Sequence, residues 1–591
     1  MHRIFSEIIL LSFILVSCVH SQSRRALDSL EFDNSNWNLD STNGVYYQIG
    51  LVYCQNPVNT NYQSMAIYIP QEYLTCTTPQ TGKYDCEINI SGKKGNYTSS
   101  NAPIVIPVET PGYAAMKAQT EYKYDTVSKY VENGIIFVYA GCRGRYEGEE
   151  DYISGAPWAV TDLKSAIRYL RYNKNILPGD TNRIYTFGMS GGGAQSCLMG
   201  VTGNSELYTK YLEENGAAMK DSNGNNLKDN VKGSQCWCPI TNLDTADAAY
   251  EWNIGQYYST DTRADDTFTK LLSDNLSAKF VEYINSIELK DPSGNKLSLT
   301  STNAGSYYDY LKKIIEESLN NFLSDTTFPW TREAAKEFPR GFGRGLDEEA
   351  ETYKTVNDYI NYLNSDYNWV TYDSSTNKAT ITNVGDFVKK LKPPSKDVGA
   401  FDDLNRNQGE NKVFGTKPGE YLKHFDQIIY NLLNSNKEKY SQKSNWNSDY
   451  PDNYYNDFDD TDSVGNDVLY RQNMYNPMYY LSNYYPGYKT SDVADYFRIN
   501  TGIFQSDTGN VVEMDLYLAL INYGKNVDFT TVWEQKHVKA ERTGDSDTNF
   551  INWIAEIEKK EKEENRGIEN FSYSVYGSYL VLILNLLLLV L

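Results

Sequence analysis

The sequence predicts an α/β protein: a largely parallel sheet covered by helices, broken by one long helical insertion and then resumed. Three observations predict it. Between about residues 100 and 255, short apolar runs alternate with an amphipathic helical run, the rhythm of strand–helix–strand units. From about 256 to 470 that alternation stops. From about 475 it returns.

Taken in order, Ile104–Val108 reads as a buried strand and Ile135–Tyr139 as another, ending at Ala140-Gly141. Residues Val160 to Tyr172 place Leu163, Ala166, Ile167 and Leu170 on one stripe, which predicts a helix. Pro178-Gly179-Asp180 then turns the chain into a strand at Ile184–Phe187, followed by Gly188-Met189-Ser190-Gly191-Gly192 and a run of small residues. Cys236-Trp237-Cys238 reads as buried strand, since CxC without a nearby His is no metal or redox motif. The insertion carries helical patterns at Phe268–Leu289 and Tyr308–Phe322 and no clear strand series. Its low-complexity stretch 440–463, made of Tyr, Asn, Asp and Ser, is expected to be a solvated loop. The core then resumes with a strand at Tyr496–Asn500, a helix at Val511–Tyr523, a strand at Val527–Trp533 and a closing helix at Asn549–Glu563. The expected division is core at 22–255 and 471–565, with 256–470 as a cap over the active edge.

Composition narrows the partners. The 591 residues carry a net charge of −22, which argues against a nucleic-acid partner, because phosphate backbones are held by clustered Lys and Arg. The ends read as targeting segments. Arg3, the apolar run Ile8–Val16 and Val19-His20-Ser21 before Gln22 predict a cleaved secretory signal over 1–21. At the other end, 566–591, a polar small-residue spacer precedes the apolar tail Tyr579–Leu591, the pattern of a GPI-attachment signal. A short C-terminal membrane helix is the alternative. The expected location is the secretory pathway and the cell surface. Cysteines agree: Cys76 and Cys86 flank a short Gly-containing loop and are the first pair to bridge. Asn89, Asn96 and Asn275 head glycosylation sequons.

The chemistry centres on Gly188-Met189-Ser190-Gly191-Gly192, a GxSxG with a strand feeding in and a small-residue helix leading out. That context fits a strained turn that lifts the Ser190 hydroxyl to the sheet edge and aims the Gly191 N–H at a developing oxyanion. A serine hydroxyl needs a base, and the chain has four histidines. His2 and His20 lie in the signal, His424 lies in the insertion, and His537 follows the last predicted strand, where the Ser, acid, His order places the base. The acid is expected after strand Tyr496–Asn500, where Asp507 is the first carboxylate, ahead of Glu513 and Asp515 in the helix. Gly112, in Pro111-Gly112-Tyr113, is the candidate for the second oxyanion donor. No cofactor is expected, and no metal constellation of recognisable spacing occurs.

These residues resemble the bacterial tannases. The resemblance rests on Ala156 through Asp162, Leu170 through Asn173, Leu177 through Asp180, Asn182 through Ile184, the GxSxG, Gly203 through Ser205, Cys238 through Leu243 and Ala249 through Trp252. It continues through Phe414-Gly415, Lys423 through Phe425, Asn476-Pro477 and Asp528 through Trp533 to His537. It implies an α/β-hydrolase fold with a large, mainly helical cap, and an esterase acting on galloyl or related phenolic esters. It also implies that Ser190 is the nucleophile and His537 the base, and that Lys396, Glu410 and Asp507 hold phenolic hydroxyls. One departure matters: the family's acid position is occupied by Gln505, an amide that can orient His537 but cannot balance its charge. Two functions therefore stand side by side, a tannase-like serine esterase and a catalytically weak or silent surface-binding protein. A serine peptidase is a weaker third, since triad order does not separate esters from amides. Oligomeric state and natural substrate stay open.

Overall fold

The computed structural model describes residues 30–77, 82–148, 151–332 and 350–564. The expected signal 1–21 and tail 566–591 lie outside the described residues. Among the described residues, no helix is long and apolar enough to cross a membrane. Two compact units divide at Arg542. The described part of the second unit is residues 543–564, with a helix over 546–564.

The first unit is organised by one nine-stranded sheet. Its strands, in chain order, are β1 (Asn38–Asp40), β2 (Val45–Val52), β3 (Ser64–Pro70), β4 (Ile104–Val108), β5 (Ile136–Ala140), β6 (Ile184–Met189), β7 (Gly233–Trp237), β8 (Tyr496–Gly502) and β9 (Asn526–Val532). In space they run β1-β2-β3-β5-β4-β6-β7-β8-β9. The pairs from β5 to β9 are all parallel, while β1, β2, β3 and β5 pair antiparallel. Every residue of β4 and β7 is buried, as expected of parallel strands covered on both faces. Each fully buried Ile or Val there contributes about 1.5–3 kcal/mol relative to exposure.

The antiparallel start was not predicted. β2 carries a bulge between Ile49 and Leu51, at Gly50 with φ 81°, so its inside–outside alternation is broken where the period would be read. β3 is buried at every position, so it shows no alternation either. Most other predicted core elements form within a residue or two of their expected bounds, including the helices Trp158–Tyr172 and Asn510–Tyr523; the strand expected at Cys236–Cys238 is Gly233–Trp237, and the closing helix expected from Asn549 starts at 546.

The described residues between β7 and β8 add no strand to this sheet. They hold long helices at Phe268–Ile287 and Ser306–Asp325, and two small antiparallel ribbons that the sequence did not announce, Trp330–Arg332 with Glu351–Tyr353 and Val370–Asp373 with Lys378–Ile381. The expected solvated loop at 440–463 is corrected: Tyr450–Asp459 is a helix, and Tyr440 and Tyr454 are fully buried. Tyr450, Tyr454 and Phe458 recur every four residues, so part of the aromatic run that looks like low complexity forms one helical stripe.

Several residues behind the resemblance turn out to hold the scaffold. Asp162 takes a two-pronged ion pair from Arg143, whose guanidinium lies 4.1 Å from the Trp158 ring centroid. Asp229 is clamped by Lys164 and Arg168. Burial would raise its carboxyl, but those two cations hold it down to about 2. The Cys76–Cys86 disulfide forms as expected, and Cys54, Cys142, Cys197, Cys236 and Cys238 are buried free thiols. Of the three sequons, Asn96 is exposed. The side-chain amides of Asn89 and Asn275 donate instead to the Glu72 carbonyl and the Tyr440 hydroxyl.

Candidate active site

Ser190 sits between the end of β6 and the helix Gly191–Val201, with φ 61° and ψ −125°. A non-glycine residue in that region carries about 1–3 kcal/mol of strain, tolerated because its neighbours over-determine it. The Ser190 amide donates to the Trp237 carbonyl at 2.9 Å, and its carbonyl accepts from Ala194 at 2.9 Å. Glycine is required beside it. A Cβ on Gly192 would stand 2.1 Å from the Val108 carbonyl, and one on Gly191 would stand 2.4 Å from the Tyr113 nitrogen and 3.1 Å from the Gly112 nitrogen. The turn Pro111–Tyr113, with Gly112 at φ 57°, is thus pressed against the start of the serine helix, where the second oxyanion donor was expected.

His537 follows β9 and is folded back across the carboxyl ends of β7 and β8. The Phe504 amide donates to the Gln535 carbonyl at 3.0 Å. The Cys238 thiol donates to the Val538 carbonyl at 3.1 Å. Cys238 is the residue after Trp237, so the strand end that receives the Ser190 amide also receives the histidine loop. Burial lowers the His537 pKa, Asp507 pulls the other way and Lys396 adds to the lowering. The imidazole is therefore kept neutral, the form a general base needs. Its Nε2 is buried with no hydrogen-bond partner in the protein.

The other ring nitrogen has one. His537 Nδ1 lies 2.6 Å from Gln505 Oε1, whereas Asp507 Oδ2 stands at 3.9 Å. Asp507 is beside the imidazole as a charge, and Gln505, expected as a possible orienter, makes the hydrogen bond. Gln505 is fully buried, and its Nε2 donates to Thr501 Oγ1 at 2.6 Å and to Glu513 Oε1. Thr501 Oγ1 also donates to Glu513 Oε1, at 3.1 Å. Lys392 Nζ donates to the carbonyls of Ile503, at 3.3 Å, and of Gln505. Burial pushes the Glu513 carboxyl up, with Lys392 opposing, and pushes the Lys392 ammonium down, with Glu513 and Asp507 opposing.

Lys392 was not foreseen, and Glu513 was seen only as a remoter carboxylate. A signal for Glu513 existed: it interrupts Asn510–Tyr523, a helix apolar nearly all round, where a carboxylate demands a partner. Lys392, before two prolines, offered none.

Lys396 and Glu410 come together as expected, with Nζ to Oε1 at 3.9 Å and the ammonium 3.8 Å from the Phe401 ring centroid. Two attachments place them. The Tyr250 hydroxyl accepts from the amides of Ser395 and Lys396 at 3.0 and 3.2 Å and donates to the Ser506 carbonyl at 3.0 Å. On the other side, the Tyr146 and Ala156 amides donate to the Lys412 and Val413 carbonyls. Lys396 lies within electrostatic reach of His537, and Glu410 within reach of Tyr113 beside the serine turn. His424 stands apart: it is fully buried, 2.7 Å from Asp402 through Nδ1, and stacked 3.7 Å from the Tyr454 ring.

The family profile described as BD-FAE matches residues 93–289, the stretch that includes the serine turn. The Fusobacterium nucleatum tannase structure is 28% identical, with a TM-score of 0.63 over 87% of this chain and 95% of that one. A Lactobacillus plantarum tannase is 23% identical, with a TM-score of 0.64 over 89% and 99%. A tannin acyl hydrolase in complex with ethyl gallate is 24% identical, with a TM-score of 0.64 over 89% and 98%. A search of curated protein sequences finds no match.

Proposed function

We propose that this chain, a tannase-like α/β-hydrolase, works as a serine esterase on aromatic esters whose acyl group carries phenolic hydroxyls. The observation that carries the reading is that Lys396, paired with Glu410, lies within electrostatic reach of the buried His537, whose loop meets the same strand end as the amide of the strained Ser190. In the reaction, His537 Nε2 takes the Ser190 proton as Oγ adds to the ester carbonyl. The Gly191 N–H and the Gly112 turn face the oxyanion. The imidazolium then gives that proton to the departing alcohol oxygen, leaving an acyl-enzyme. Water, deprotonated by the same Nε2, adds to the acyl carbon, and the proton returns to Ser190 as the acid leaves. Lys396, Glu410 and Asp507 are suited to adjacent phenolic hydroxyls, an ammonium donating and carboxylates accepting. The ethyl gallate complex of the related hydrolase supports that class. An extracellular setting belongs to the same reading, supported by the Cys76–Cys86 bond.

Turnover of methyl gallate and of a p-nitrophenyl ester, with Ser190→Ala as control, tests it. Equal background rates in both proteins would retire the enzyme. The second reading, a silent binding protein, is favoured by one observation: the partner of His537 Nδ1 is an amide. Losing a directly bonded carboxylate can cost on the order of 10⁴ in turnover.

A further inference from the structure

We propose that Glu513 is a positioning residue for the esterase reaction: acting through the Gln505 amide, it holds His537 in the tautomer whose Nε2 is basic. This rests on the esterase reading of the site.

Gln505 has one end that accepts and one that donates, and a flip of the side chain exchanges them. Facing His537 with its NH₂ end, it would require an unprotonated Nδ1 and so put the proton on Nε2, where it blocks base catalysis. Facing His537 with oxygen, it requires Nδ1–H and leaves the Nε2 lone pair for Ser190. Whatever lies behind Gln505 decides between the two.

Behind it is a carboxylate. Glu513 Oε1 receives the Gln505 NH₂ and, at 3.1 Å, the Thr501 hydroxyl proton. With that proton committed to Glu513, Thr501 Oγ1 is left as an acceptor for the same NH₂, at 2.6 Å. Both groups behind the amide therefore accept, and the amide oxygen is driven toward His537 Nδ1, 2.6 Å away. Gln505 and Glu513 are both wholly buried, so no solvent stands in for either. The main chain is held as well, by Lys392 on the carbonyls of Ile503 and Gln505. A carboxylate touching the imidazole would fix the tautomer by itself, being an acceptor at both oxygens. An amide needs this second group.

A buried glutamate can also matter for packing alone, so the test is an exchange. Glu513→Gln removes the obligatory acceptor and should lower kcat about 10- to 100-fold with KM within about twofold, the scale of impaired general-base catalysis. In a Gln505→Glu background the sign should reverse. There two carboxylates face each other, and Glu513→Gln relieves them while leaving a carboxylate on His537, so kcat should rise. A loss of the same size in both backgrounds would show a structural role and overturn the proposal. So would a kcat unchanged by Glu513→Gln alone. Should the glutamine variant fail to fold, the wild-type protein still decides: ¹⁵N-histidine labelling, with His537 assigned by its loss in His537→Gln, reads the tautomer. A protonated Nδ1 with a bare Nε2 is expected, and a protonated Nε2 in the neutral ring would end the idea. Absent ester turnover would retire the proposed function while leaving this spectrum to be read on its own.

Discussion

The two halves of the site are built by different means. Around Ser190 the geometry is made by main chain: glycines at 191 and 192 that leave no room for a Cβ, a serine held at φ 61° and amides bonded to neighbouring strand ends. Around His537 it is made by side chains from several segments: Gln505 and Glu513 after β8, Lys392 and Lys396 from the insertion, Asp507 beside the ring. A main-chain site writes itself into a short motif, because few residues tolerate such backbone. A side-chain network leaves no local mark, since any chain segment can supply a carboxylate if the fold delivers it.

That contrast can be broken by substitution. Gly192→Val should have the largest effect, because its side chain meets the Val108 carbonyl at 2.1 Å. We expect at least about 3 kcal/mol of lost stability, read by denaturant unfolding, and no measurable ester turnover. A folded, active Gly192→Val protein would show that the serine turn is less rigid than described. Next, Gln505→Leu leaves Glu513 and the imidazole Nδ1–H without their partner. It should cost about 1–3 kcal/mol of stability and about 10²–10⁴ in kcat.

Gln505→Glu sharpens the comparison by pH rather than by loss. In the native protein, burial lowers the His537 pKa below the ordinary 6.5, and the base acts when neutral. Protonation of His537 by itself should therefore leave activity unchanged as pH falls through 6.5 and lower it only below that. A carboxylate at 505 favours imidazolium, raises that pKa by about 1–3 units and moves the acid limb of kcat/KM to higher pH. An unmoved limb would mean that His537 does not titrate in the profile. The smallest effect on catalysis should come from Cys86→Ser, far from both halves. Opening the ten-residue separation of Cys76 and Cys86 should cost about 2–3 kcal/mol with kcat unchanged.

The same contrast explains what was legible in the sequence. Parallel strands such as β4 and β6 were readable as apolar runs between turns, and the GxSxG gave Ser190 and Gly191 directly. His537 followed by elimination, because only two histidines lie beyond the expected signal. β2 and β3 were hidden by a bulge and by complete burial. The helix Tyr450–Asp459 was hidden by a composition that mimics disorder. Asp507 was the obvious acid on spacing alone. Only the fold shows that the Gln505 side chain reaches the ring first and that Glu513, eight residues further along, stands behind it.

One attachment joins the insertion to the loop that supports His537. The Tyr250 hydroxyl ties Ser395 and Lys396 to Ser506, and Lys392 grips the neighbouring peptide of Gln505. Roof and engine are thus bolted together at that wall. Prising this stretch upward would drag the imidazole's own support with it, so under the proposed function an ester would have to thread past this wall and not lift it.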